Sequence, residues 1–233
     1  MDFATWEPVY EIIREDMGYD RDADTRARDR LLAILGNGPT ADVSAKAFST
    51  QTVAIVAPGR TLEDDLDSVE EADEVIAAGR AADRLIRAGI EPHWVVTDLD
   101  GHPDHVPALT ERGPTVLIHA HGDNIELLER VVPDCNSGAV IPTTQVAPAG
   151  PVRNYGGFTD GDRAAFFADA FGANRLTFPG WQLDDADVGG IKRQKLDWAA
   201  RLLAWLERRR GEQFSVLDDL RAVIDLSVIP DSS

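Results

Sequence analysis

Residues 73–101 read DEVIAAGRAADRLIRAGIEPHWVVTDLDG. The first seven form a short apolar run ending in glycine, "RAADRLIRAG" carries apolar residues at helical spacing, and "PHWVVTD" is a second β-branched run. Strand, helix, strand over roughly thirty residues is a βαβ unit, which makes its two strands parallel. The pattern extends both ways. "TVAIVAPG" (52–59) reads as a strand followed by an acid-rich helix, and a helix is expected from Asp104 to Glu111. "PTVLIHAHGD" (114–123) reads as a fourth strand with the helix "NIELLERVV" behind it, and "GAVIPTTQ" (138–145) and "NRLTFPG" (174–180) as a fifth and sixth. Short apolar strands separated by helices predict an α/β fold whose mostly parallel, doubly wound, Rossmann-like sheet is covered on both faces.

Outside this core, "WEPVYEIIREDM" (6–17) and "DADTRARDRLLAIL" (22–35) have helical spacing. We therefore expect an N-terminal helical segment over 1–50 and an α/β catalytic domain over 51–233. "IKRQKLDWAARLLAWLERRR" (191–210) predicts a long amphipathic helix with Leu196, Ala199, Leu202, Leu203 and Leu206 along one side.

The charge is lopsided. Acidic residues number 41 against 23 basic, for a net charge of −18. Only Lys46, Lys192 and Lys195 are lysines, so arginine supplies nearly all the positive charge. Short carboxylates with few lysine stems point to high intracellular salt, as in a halophilic archaeon, because screening relieves such self-repulsion. Nucleic acid is a poor partner for this field. No apolar run reaches the ~18 residues of a membrane span, and the N-terminus has no signal-peptide pattern, so cytoplasmic residence is expected. A homo-oligomer is left open. Cys135 is the one cysteine, which excludes a disulfide framework or a thiolate zinc site.

In a sheet of this kind ligands bind beyond the C-terminal strand ends. Polar clusters follow the strands there: Gly59-Arg60-Thr61, Asp98-Leu99-Asp100-Gly101, and "HAHGDN" (119–124), with "NYGGFTDGDRAA" (154–165) before a later helix. Asp98 and Asp100 can aim two hard oxygen donors into one crevice, which suits Mg²⁺ with phosphate; the plain alternative is an Asp-Gly turn. Asp123 can share that metal or cap a helix. In the glycine-rich stretch, Gly157 allows close backbone approach, Asp160 and Asp162 suit a magnesium–phosphate complex, and Arg163 offers a fork-shaped donor. Lys192 and Lys195 fit anion contact or a salt-bridged helix face. A phosphatase with an aspartyl nucleophile would want Thr after Gly101, where His102 stands. A dinuclear zinc hydrolase would want His at Asn124. No Walker-type lysine follows any glycine loop.

"VVTDLDG" (95–101), "HAHGDN" and "GGFTDGDRA" (156–164) occur in that order, flanked by "WEPVYEII" (6–13), "APGRTL" (57–62) and "KRQKLDWA" (192–199). In these motifs the chain resembles the archaeal 6-hydroxymethyl-7,8-dihydropterin pyrophosphokinase family along nearly its whole length. The resemblance implies a fold similar to the catalytic domain of thiamin pyrophosphokinase. It also implies transfer of pyrophosphate from ATP to the pterin hydroxymethyl group, with Mg²⁺ and release of AMP. By it, Asp98, Asp100 and Asp123 are the catalytic metal ligands. Gly59, Arg60, Thr61, Gly157, Asp160, Asp162, Arg163, Lys192 and Lys195 serve the nucleotide, and His121 and Asn124 the pterin. Two positions depart from the family pattern. "AAGRA" (77–81) lacks the acidic residue of A-A-D-G-A, and Gly59-Arg60-Thr61-Leu62 replaces G-P-S-L. These departures leave room for an altered substrate preference, and "AAGRA" for an inactive nucleotide-binding module; the Asp-x-Asp pair keeps a metal-dependent glycosyltransferase or phosphatase open as alternatives.

Overall fold

The computed structural model describes residues 1–36, 38–43 and 47–230; Lys46 lies outside them. Two helices come first, α1 (Phe3–Met17) and α2 (Arg21–Leu35), followed by β1 (Thr52–Val56), α3 (Leu66–Glu70), β2 (Glu74–Ala78), α4 (Ala81–Arg87) and β3 (Trp94–Thr97). The chain continues through α5 (Val106–Arg112), β4 (Thr115–Ala120), α6 (Ile125–Val131), β5 (Val140–Thr144), α7 (Asp160–Ala170), β6 (Arg175–Thr177) and α8 (Gly190–Arg210). The six strands form one sheet in the order β5-β4-β3-β2-β1-β6, and every pairing is parallel.

Strand alternation divides the core in two. Val53, Ile55, Ile76, Val96, Leu117 and Ile141 point to one face and pack against α1, α7 and α8. Ala54, Val56, Val75, Ala77, Val95 and Val116 point to the other and meet α2 and the connecting helices α3–α6. Both faces are covered, so the strands need no polar side, and burial pushes them toward continuous apolar runs. α7 is buried along most of its length, from Gly161 through Ala168, because it lies between the sheet and α8. Its Phe167 packs edge-on to Phe48, Tyr155 and Phe171.

The order of connections locates the crevice. β1 to β5 step in one direction across the sheet, and the chain then returns over the opposite face through α7 to set β6 beside β1. The loops leaving β1 and β6 thus diverge from neighbouring strand ends, the place where such sheets bind ligands. Those loops touch through glycine. Gly59 N–H donates to Gly180 O at 2.8 Å, and a Cβ on Gly59 would lie 2.2 Å from that same oxygen. Arg84 braces the turn by donating from Nη1 to Pro58 O and Gly59 O, each at 2.7 Å.

The N-terminal helices form where expected. Asp2 and Asp20 cap α1 and α2, and Gly18 closes α1 in the left-handed region at φ 70°. Trp6, Val9, Tyr10 and Ile13 are buried on one side of the sheet, and Ala27 and Leu31 on the other. No helix among the described residues is long and apolar enough to cross a membrane. Phe167→Ala is expected to cost about 3–5 kcal/mol, read as a lower urea midpoint in molar KCl with the slope unchanged.

Candidate active site

A cleft of about 1240 Å³ runs along the C-terminal edge of the sheet. This exceeds the ~300–1,000 Å³ usual for a single ligand, so it has room for more than one. The β1 and β6 loops bound one end with Gly59, Arg60, Gly180 and Trp181; Tyr19, Asp24, Gly122 and Asp123 line the other.

The β3 turn supplies the central carboxylates. Leu99, between Asp98 and Asp100, has φ 71°, a left-handed conformation costing a non-glycine residue about 1–2 kcal/mol. It is retained because the Leu99 side chain is buried in the α3–α6 core and its N–H donates to Thr97 Oγ1 at 2.9 Å. Asn124 holds the turn from β4, donating from Nδ2 to Asp98 O at 2.8 Å and to His119 O at 2.7 Å. Its Oδ1 accepts from His121 N–H at 3.1 Å. Asn124 is buried and its amide is consumed inside the protein, so it positions the turn.

A third carboxylate arrives from the N-terminus of α7. One oxygen each of Asp98, Asp100 and Asp160 lies within 4.8 Å of the others. Asp123, the residue expected to complete the trio, lines the cleft but lies outside this group, exposed and beside Tyr19. Asp160 reaches the site because the stretch before it is tightly cornered. Gly157 has φ 90°, and a Cβ there would sit 2.5 Å from Arg163 Cα; a Cβ on Gly161 would sit 2.6 Å from the Trp181 ring. Asp162 is fully buried and faces away from the cleft. It accepts from the Thr159 hydroxyl at 2.6 Å and from the Thr159 backbone N–H, forming the capping box of α7.

The electrostatics separate the three acids. Burial alone would raise Asp98, but the His121 imidazole, 3.6 Å away, and the Arg163 guanidinium at 4.0 Å together hold its carboxyl well below the usual range. Burial and then the Asp98 charge push Asp100 up, against the pull of Lys195 and Arg80. The same two causes push Asp160 well up, although Arg163 Nη1 lies 3.1 Å from its Oδ1. Crowded, partly buried carboxylates of one sign are relieved by a cation, and three hard oxygen donors fit Mg²⁺. Arg163 Nε is buried with no hydrogen-bond partner among the described residues.

The remaining expected residues divide. His121, Lys192 and Lys195 line the cleft. Arg60 lines it too, but its guanidinium is exposed and bridges Asp185 at 2.8 Å and Asp187 at 2.7 Å, joining the β1 and β6 loops. Thr61 is not among the lining residues; it heads the turn Leu62–Asp64, with its hydroxyl 3.4 Å from Asp65. His119 is buried, and burial pushes its imidazole well below the ordinary value, so it stays neutral against Thr143 at 3.1 Å. Arg80, one of the departures from the family pattern, lines the cleft and packs on Gly101.

Two walls were missed in the sequence. Trp181, whose Nε1 donates to Ile55 O at 2.7 Å, follows β6 and was findable by the strand-end rule. The α1–α2 wall was not. Buried Asp24 accepts there from Tyr10 Oη, Gln145 Nε2 and Gly122 N–H, each at 2.7 Å, joining residues 14 to 121 positions apart.

Fold and site together define an α/β protein with a cleft at the C-terminal edge of a parallel sheet, where three clustered carboxylates could hold a metal ion. Residues 30–187 match the family described as 6-hydroxymethylpterin diphosphokinase MptE-like, and the chain belongs to that family. It is 34% identical over 225 residues to the 6-hydroxymethyl-7,8-dihydropterin pyrophosphokinase of Methanothermobacter thermautotrophicus, covering 89% of this chain and 96% of that protein. The enzymes of the same name from Pyrococcus furiosus and Methanocaldococcus jannaschii are 36% and 31% identical. Those matches cover 93% and 92% of this chain and 100% and 99% of theirs.

The raised Asp160 pKa has a consequence for stability. Folded Asp160 keeps a proton that the unfolded chain has already lost, so its contribution to stability falls as pH rises from about 4 through the folded pKa. Asp160→Asn removes that penalty. The metal-free variant is expected to be more stable than wild type at neutral pH, with the difference vanishing as pH falls below about 4, measured by urea unfolding with a chelator present.

Proposed function

We propose that this chain transfers pyrophosphate from ATP to the hydroxymethyl oxygen of 6-hydroxymethyl-7,8-dihydropterin, releasing AMP. The observation that carries this reading is the convergence of Asp98, Asp100 and Asp160 beside Arg163, in a cleft large enough for two substrates. The names and full-length similarity of the three relatives support the particular substrates.

In this reading Asp98, Asp100 and Asp160 hold Mg²⁺, which when bound neutralises phosphate charge. Asp98, kept ionised by His121 and Arg163, is a strong ligand and a poor base. Arg163, Lys192 and Lys195 face the triphosphate, and the Gly59 turn admits it closely. The pterin takes the opposite end, against Tyr19 and Phe158, with His121 beside it. There the exposed carboxylate of Asp123 accepts the hydroxyl proton as the oxygen attacks the β-phosphorus in line. Positioning and fixed charge supply most of the rate. The acidic surface supports a cytoplasm of high salt, and small molecules are the expected partners.

Incubated in molar KCl with Mg-ATP and the reduced pterin, the protein is expected to form AMP in step with pterin consumed. Orthophosphate without AMP would assign a phosphatase. ATP binding without turnover would assign an inactive module, and either result rejects the proposal. Asp98→Asn and Asp160→Asn should each lower kcat by about 10²–10³-fold and raise the Mg²⁺ requirement. Asp123→Asn should lower kcat by about 10²-fold or more with the Mg²⁺ requirement unchanged.

A further inference from the structure

Behind the β3 turn, three side chains converge that the proposed reaction does not use. His102 and His105 stand in the run His-Pro-Asp-His, which forms the short turn Pro103–His105, and Asp83 is in the first turn of α4. The Nδ1 atom of His102 contacts Asp83 Oδ2, and the Nδ1 atom of His105 lies 3.0 Å from Asp83 Oδ1. The two rings are 5.2 Å apart. One ligand atom from each of the three residues lies within 4.8 Å of the others, and none of the three lines the cleft.

We propose that Asp83, His102 and His105 form a second metal site, separate from the carboxylate group, for a borderline transition ion of the Zn²⁺ class. The donor set distinguishes the two sites. Two imidazoles and one carboxylate suit Zn²⁺, Co²⁺ or Ni²⁺, whereas Mg²⁺ favours the all-oxygen group in the cleft. Both rings present the same nitrogen to one carboxylate from two directions, so a single ion can replace both hydrogen bonds. Each ring can free Nδ1 for the ion by carrying its proton on Nε2. His102 and His105 have side chains 45% and 59% exposed while Asp83 is 15% exposed, which leaves a water-accessible fourth position over an anchored carboxylate. The chain's net charge of −18 further favours a cation at the surface.

The position gives the site a structural effect. It ties α4 to the segment that leaves β3, two residues beyond Asp100. Arg80, the N-cap of α4, packs against Gly101 in the same segment, where a Cβ would come 2.9 Å from Arg80 Cγ. An ion on Asp83, His102 and His105 therefore braces the turn that carries Asp98 and Asp100.

The test uses the full chain, stripped of metal and then held in excess Mg²⁺ to occupy the cleft. Zn²⁺ is titrated by calorimetry, and Co²⁺ is followed by its visible absorption. Wild type is expected to take up one equivalent of either ion, Zn²⁺ displacing the Co²⁺ signal. Its Tm should rise about 5–10 °C at a hundredfold excess of Zn²⁺ over Kd. His105→Ala and Asp83→Asn should each weaken binding at least about 100-fold, with circular dichroism confirming the fold, while Asp160→Asn should bind Zn²⁺ as wild type does. Failure of wild type to take up stoichiometric Zn²⁺ overturns the proposal without recourse to any variant. Uptake unchanged in the folded double variant His102→Ala with His105→Ala overturns it equally.

Discussion

Asp98, Asp100 and Asp160 repel one another. One oxygen of each lies within 4.8 Å of the others, and two full charges that close in a medium of effective dielectric about 20 would cost roughly 3–4 kcal/mol or more, which is why Asp100 and Asp160 hold their protons to higher pH. The fold holds this arrangement through Leu99, whose buried side chain keeps the turn in its left-handed conformation, and Asn124, whose amide ties that turn to β4. Arg163 offsets part of the repulsion by reaching both Asp98 and Asp160. In the proposed function the remainder favours a divalent cation, and stability lost by crowding the three acids becomes binding energy for it.

The sheet makes that concentration of charge affordable. With apolar layers on both faces, its polar groups are restricted to the strand ends, and the strand order opens the crevice at β1 and β6. Glycines 59, 161 and 180 then allow separate segments of the chain to approach more closely than any Cβ permits. The acidic exterior has a separate cause, since it repels at long range and is screened by salt. The cleft charges lie too near one another for screening to act in the same way.

Much of the fold was legible because parallel strands covered on two sides leave a simple trace: short β-branched runs with helical periodicity between them. All six strands and α8 fall where that trace puts them. α7 was placed by its glycine-rich entrance, since a helix buried on nearly every side has no amphipathic stripe to read. Within the site, Asp98, Asp100, Arg163 and Lys195 were legible as polar residues at strand ends or helix starts. Asp160 and Asp162 looked equivalent in the sequence. In the structure one faces the cleft and the other caps its own helix, a division set by the direction in which α7 begins. Asn124 and Thr61 read as ligand contacts, yet their side-chain hydrogen bonds are made within the protein.

Sequence by itself determined the doubly wound parallel sheet, the edge at which the cleft opens and the acidic, lysine-poor surface, because each follows from local periodicity or from composition. Only the tertiary structure decided which third carboxylate joins Asp98 and Asp100. It alone revealed that the α1–α2 turn closes one end of the cleft and that Arg60 joins two loops. These features depend on distances between residues far apart in the chain. Such distances are set by helix docking and glycine contacts, which leave no periodic signal in the sequence.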